Sequence, residues 1–396
     1  MEHAAHWYFD HAATSPLREV AKQAWLAHAG LLNPGGQYAA GRAARAALES
    51  AREQVAALLG CAPIEVIFTS SGTESNNIAL RGIAATVAAQ HADRPPHIAS
   101  AAIEHPAVAE TVKALCTPAA KSRGGAVCTH VPLVVDPDGI VRDTVSTKSP
   151  VDIATLMWAN NETGAIQPVA EFAAAAAAAG AAVHIDATQA VGKIPLDLGS
   201  LPWTTVALSA HKFGGPRGVG VLCAKKSPPL APVLTGGGQQ RGIRPGTVDV
   251  AGAVATAAAL AEAVAEIPTV EPRVRALRDR LARGIMEQIP DTVIHTPLDD
   301  PQAALAGHLH LSFPGAEADS LLFIADMRQI AVSSGSACHA GVNRPSDTLL
   351  AMGVSEPVAR SAMRFTLGHD TTDQAVDYVL DNIAAIVATA RTAGMA

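Results

Sequence analysis

Short β-branched runs alternate along this chain with alanine-rich amphipathic stretches, and that alternation limits the fold more than any other feature. Parallel strands need a crossover between them, usually a helix, so the pattern predicts an α/β protein with a mostly parallel central sheet. Glu65–Thr69 (EVIFT), His97–Ala101, Val151–Trp158, Ala181–Ile185, Thr205–Ser209 and Val219–Ala224 read as strands. Val151–Trp158 (VDIATLMW) is the most continuously apolar of them, as a strand covered on both faces should be. Helices are predicted from Glu74 to about Ala89, from Pro106, and from Pro168 to Gly180. Near residue 250 the texture changes. Val250–Ile267 and Glu271–Ile289 read as two helices, followed by strands at His308–Phe313, Ile330–Val332 and Ala362–Leu367. A helix from Glu317 and a last one to about Arg391 complete the pattern. We expect a large domain at 16–260 and a smaller α/β domain made of 1–15 and 261–396.

Composition narrows the function classes. The chain has 396 residues, 49% of them hydrophobic, enough for two cores without disulfide or metal staples. Charged residues are only 16%, with alanine filling the gap, which is composition bias and not a membrane signal. The tract Phe172–Val183 is too short and too alanine-rich for a bilayer span of about 20 residues. A net charge of -7 speaks against direct nucleic-acid binding, which wants a basic face. The start carries His3, Asp10 and His11 with no basic or strongly apolar run, so we expect no signal peptide and a cytoplasmic location. Five cysteines at irregular spacing, without a CxxC, fit neither a disulfide framework nor a zinc site. Cys61, Cys116, Cys128 and Cys223 read as packing residues. Cys338 lies among small residues in SSGSACHAG, where a thiol can be exposed and reactive. His339 beside it makes too few ligands for a metal, and no metal is expected.

Polar clusters follow several of the strands, the place where open α/β sheets bind ligands. Lys212, one of eight lysines, follows Thr205–Ser209 beside His211. It is either a solvated surface lysine or an amine kept neutral for carbonyl chemistry. Asp186 ends another strand, as a turn residue or as the carboxylate that pairs with a protonated ring nitrogen. Ser71-Gly72-Thr73 leads into a helix, as caps or as a phosphate cradle. His105 starts a helix or stacks on a ring. Arg364, on an apolar strand, needs a partner, either a structural carboxylate or that of a substrate.

Together these motifs resemble the pyridoxal-phosphate-dependent cysteine desulfurases of the NifS/IscS type, in the class V aminotransferase group. The resemblance runs from YFDHAATSP (Tyr8–Pro16) to RFTLGH (Arg364–His369). Its strongest pieces are FTSSGTESNN, IEH, NNETGAIQP, HIDATQAVGK, SAHKFGGPRGVG, GGGQQRGIRPGT and SSGSAC. It implies a PLP-dependent transferase fold (fold type I) and pyridoxal 5'-phosphate as cofactor. By position, Lys212 would link to the cofactor aldehyde and Asp186 would pair with the pyridine nitrogen. Gln189 and Asn161 would lie near the phenolic oxygen, with His105 stacked on the ring. Gly72, Thr73, Ser209 and His211 would hold the phosphate, joined by Thr247 from the second subunit of a homodimer. Asn33, Asn161 and Arg364 would bind the substrate, L-cysteine. Cys338, on a mobile loop at about 333–345, would be the nucleophile that takes up sulfur as a persulfide. The implied reaction converts L-cysteine to L-alanine and passes sulfur to an acceptor protein, an iron–sulfur scaffold or a tRNA-thiolation enzyme. A selenocysteine or cysteine-sulfinate lyase, another class V enzyme, and a delivery subunit without turnover are the alternatives. Three positions depart from the family pattern: Tyr38 stands near a common histidine, Pro245 replaces a common serine and His339 a common threonine.

Overall fold

The computed structural model describes residues 7–91, 93–118, 127–142, 150–335 and 344–393. Its strands are β1 (Trp7–Tyr8), β2 (Val66–Thr69), β3 (His97–Ala101), β4 (Thr129–Leu133), β5 (Ile153–Met157), β6 (Ala182–Asp186), β7 (Thr205–Ser209), β8 (Gly220–Ala224), β9 (Val293–Ile294), β10 (His308–Ser312), β11 (Ile330–Ala331) and β12 (Ala362–Thr366). The central sheet has seven of them in the order β2-β8-β7-β6-β5-β3-β4. Strand β8 is antiparallel to both neighbours, and the pairings from β7 through β4 are parallel. β2 therefore points the same way as β7, and the carboxyl ends of β2, β3, β5, β6 and β7 share one edge.

Both faces of this sheet are covered, because alternate side chains of a strand point to opposite sides. Val66 and Phe68 of β2 join a core with Val55, Leu59 and Leu260, while Ile67 faces Ile78, Leu80 and Val108. The helices Gly72–Gln90 and Pro106–Leu115 build that second face. Strand β6 breaks the apolar rule. Val183 and Ile185 face the first core, while His184 and Asp186 face the Gly72–Gln90 helix, both buried. A polar pair buried on one face of a central strand needs partners.

A separate core forms around Phe9, Leu281, Ile285, Leu309, Leu311, Phe313, Phe365 and Val379. It is built on the antiparallel order β12-β10-β9, with β1 parallel to β11 beside it. One helix, Val250–Gln288, serves both cores. Its first half contributes Ala253, Ala257 and Leu260 to one, and its second half Leu277, Leu281 and Ile285 to the other. The two helices expected here are therefore a single one with Pro268 and Pro272 inside it. Each proline removes one i→i−4 bond. The buried faces on either side hold the helix across that gap. By length and apolarity this helix resembles a membrane span, but 61% of its most apolar window is buried inside the protein. Cys128 and Cys223 are buried and Cys61 and Cys116 half-buried, all as free thiols.

Candidate active site

The shared edge of the central sheet opens into a cavity of about 250 Å³. Nine of the residues predicted from sequence line it: Gly72, Thr73, His105, Asn161, Asp186, Gln189, Ser209, His211 and Lys212. Each sits at or shortly after a strand end, so the sheet's direction places them.

Lys212 closes a 3-10 turn directly after β7. Its Nζ donates to the carbonyl oxygens of Ala12 (2.6 Å) and Ala13 (2.9 Å). Burial, reinforced by the nearby Arg364 charge, lowers its pKa to about 8. The amine is thus neutral in part near physiological pH. Burial and then Lys212 push neighbouring His211 down to about 4, so its imidazole is neutral. His105 caps the Pro106–Leu115 helix, its Nδ1 accepting from the Ala107 N–H at 3.1 Å. That bond leaves Nε2 as the protonated nitrogen.

Asp186 is held rigidly. Its Oδ2 accepts from Asn76 Nδ2 at 2.8 Å, and Oδ1 from the Thr188 N–H at 3.0 Å. Asn76 Oδ1 pairs with His184 Nε2 (2.9 Å), and His184 Nδ1 with Thr205 Oγ1 (2.8 Å). The chain Thr205–His184–Asn76–Asp186 runs under the cavity floor, and sequence reasoning missed its first three members. Residues 184 and 186 share a strand face by simple alternation, which was the available signal. Glu104 stands in a polar cluster visible in the sequence, beside His105, but has no role predicted from it. Its Oε1 accepts from the Met157 N–H at 2.8 Å, and its buried Oε2 has no partner among the described residues. Burial, then the Asp186 charge, raises its pKa to about 8.

The fit to pyridoxal phosphate can be tested on three features. First, the 19-residue helix Gly72–Gln90 aims its N-terminus at the cavity, where its free N–H groups suit a phosphate. Second, Gly72 leaves a cradle. A Cβ there would come within 3.2 Å of both Ser209 Cβ and Thr188 Oγ1. Third, Thr188 Oγ1 is buried without a hydrogen-bond partner among the described residues, as a donor awaiting an acceptor would be. A fixed carboxylate, a partly neutral amine and an anion cradle are the donor set this cofactor requires.

Arg364 lies just outside the cavity lining. Its Nη1 donates to the Asn161 carbonyl (2.7 Å) and its Nη2 pairs with Asp10 Oδ1 (2.7 Å), while its buried Nε has no partner among the described residues. The structure thus supplies a structural carboxylate partner and leaves one donor unused. The Gln189 amide is already engaged, donating to Ala12 O (2.9 Å) and accepting from Lys193 Nζ (2.8 Å). Asn33 and Thr247 are exposed and not among the cavity's lining residues, and Asn33 Oδ1 caps the Gly35 N–H at 2.8 Å. Cys338 lies outside the described residues.

Known proteins resemble this chain in sequence and in fold. The chain is 41% identical over 396 residues to an IscS-like cysteine desulfurase of Mycobacterium tuberculosis, covering 98% of each. A solved NifS-like protein superposes with a TM-score of 0.85 at 33% identity, covering 97% of this chain and 99% of that one. A solved structure of SspA in complex with cysteine superposes with a TM-score of 0.73 at 26% identity, covering 92% of this chain and 99% of that one. The profile of the Aminotransferase class-V family matches residues 7–379. The chain belongs to that family.

Proposed function

We propose that this protein is a pyridoxal-phosphate-dependent cysteine desulfurase that takes sulfur from L-cysteine, releases L-alanine and carries the sulfur on Cys338. The observation that carries this is the convergence of Asp186, His105 and Lys212 on one cavity, with Arg364 tied to its Asn161 wall.

The bound cofactor supplies an electron sink for the substrate's α-carbon. The chain's residues do the rest. Asp186, held by Asn76, presents a fixed negative charge to the pyridine nitrogen. His105 offers a ring face, and Gly72, Thr73, Ser209 and His211 hold the phosphate. Lys212, with a pKa near 8, takes the α-proton at Nζ. Arg364 receives the substrate carboxylate through its unused Nε and by exchanging Asp10, with Asn161 and Asn33 assisting. The Cys338 thiolate attacks the substrate sulfur. An S–S bond forms as the Cβ–S bond breaks, and the carbon that keeps the electron pair is protonated to give alanine.

Thr247 completes the phosphate site of a second copy in a homodimer. Its exposure suits that reach, and the ion pair of Arg244 Nε with Glu74 Oε1 (3.2 Å) ties its loop to the cofactor helix. We place the protein in the cytoplasm, with an iron–sulfur scaffold or a tRNA-thiolation enzyme as sulfur acceptor, and assign 16–260 to the cofactor domain. The test is incubation of the holoenzyme with L-cysteine and a reductant, with alanine and sulfide measured together. Equal amounts are expected. Alanine formation undiminished by Cys338→Ser would overturn the reading.

A further inference from the structure

Glu162 is buried in the turn after β5, and the mechanism above gives it no part. The turn itself is fixed, since Asn160 Oδ1 accepts from the backbone N–H of Glu162 (2.8 Å) and of Thr163 (2.9 Å). The same turn presents the Asn161 carbonyl to Arg364. The carboxylate of Glu162 is engaged by a different segment. Its Oε2 accepts a short hydrogen bond from Ser346 Oγ. Ser346, itself buried, caps the helix Asp347–Ala351 by accepting from the Leu349 N–H at 3.1 Å. Thr348 adds a second side-chain hydrogen bond to Glu162.

The chain on the other side of Cys338 reaches the same carboxylate. Gly335 holds φ +86°, and a Cβ there would stand 3.2 Å from Glu162 Oε2 and 2.9 Å from His310 Nε2. Only glycine combines that backbone with that approach. Two residues earlier, Ser333 exchanges backbone bonds with Arg364, at 3.2 and 2.6 Å. The two flanks of the Cys338 segment therefore meet at one buried carboxylate, next to the strand that carries Arg364.

We propose that Glu162 is a positioning residue for the desulfurase reaction: its carboxylate bonds the flank after Cys338 through Ser346 and Thr348 and stands against Gly335 in the flank before it, so that its loss changes how readily Cys338 reacts. This inference rests on the desulfurase reading. Ser346 is not among the residues that line the cavity, so removing its hydroxyl tests the anchor and leaves the cavity lining intact.

The experiment compares Ser346→Ala, Ser346→Thr and Glu162→Gln with the parent holoenzyme. It records kcat and KM for alanine formation, the cofactor's visible spectrum, and the rate at which iodoacetamide alkylates Cys338, followed by peptide mass. Ser346→Ala should lower kcat about tenfold with KM and spectrum unchanged, the loss expected for a misplaced reacting group. It should also change the Cys338 alkylation rate several-fold, and Ser346→Thr should restore both. Glu162→Gln should show the same change in alkylation. Parental kcat and alkylation in Ser346→Ala would overturn the proposal, as would a lower Tm with kcat per loaded site unchanged. Alkylation needs no turnover, so a parent that makes no alanine would sink the desulfurase reading while the anchor is still decided.

Discussion

Lys212 owes its chemistry to position more than to residue type. An exposed lysine stays charged well above neutral pH, whereas this one is buried against two backbone carbonyls near Arg364 and titrates near 8. Its affinity for an aldehyde should therefore rise as pH is raised from 7 to 9, because the uncharged amine becomes the major form. Stopped-flow reconstitution of apoprotein with pyridoxal phosphate should be faster at pH 9, and a flat profile would contradict the burial argument. Lys212→Ala should abolish the visible band of the bound cofactor. Arg364→Ala should raise KM for cysteine by about tenfold or more, the order of one charge-assisted hydrogen bond, with less effect on kcat. Unchanged saturation would remove Arg364 from substrate binding. Asp186, Lys212 and His105 were legible in the sequence because each follows a strand. Asn76 was not, since it meets Asp186 across 110 positions of chain and only the fold brings them together. Asp10 was hidden for the same reason, 354 positions from Arg364.

Among the elements, β6 carries two messages at once. Its odd residues 183 and 185 anchor the first core, and its even residues 184 and 186 build the cavity floor. Hydrophobic pattern alone assigns the strand but cannot say that a buried histidine is wired to an asparagine 108 positions away. His184→Phe keeps a buried ring but removes both of its hydrogen bonds, leaving Asn76 half satisfied. Cofactor affinity should fall several-fold by equilibrium dialysis, and an unchanged affinity would show that the chain of bonds does not support Asp186. The long helix was misread at its middle, because two prolines four positions apart ordinarily end a helix. Here burial on both sides outweighs the two lost bonds. Leu281, fully buried on its second half, should lose about 2–5 kcal/mol of stability on change to alanine, read by denaturant unfolding.

The molecule as a whole brings two cores to the active site, one carrying the cofactor cradle and the other carrying Arg364 on β12. The fold class was legible because the alternation of strand and helix is written at short range. The joint between the cores was not, because it depends on which helix faces are covered. Stability should also report one buried acid. Glu104 keeps its proton in the folded state up to about pH 8, while an unfolded chain releases it near the ordinary carboxyl range. The folded state binds more protons between those limits, so this group's contribution to stability falls as pH rises across them. The Tm of Glu104→Gln relative to the parent should therefore be higher at pH 8.5 than at pH 5, and an equal difference at both would show that Glu104 is ionised in the folded protein. The continuous helix Val250–Gln288 has a mechanical corollary. Each residue on a helix advances it about 1.5 Å and turns it about 100°. One alanine inserted between Pro268 and Pro272 would rotate the face bearing Leu277 and Leu281 out of phase with the face bearing Ala257 and Leu260. Surface loops can gain or lose residues freely, but this shaft is keyed at both ends, and its length is set in whole turns.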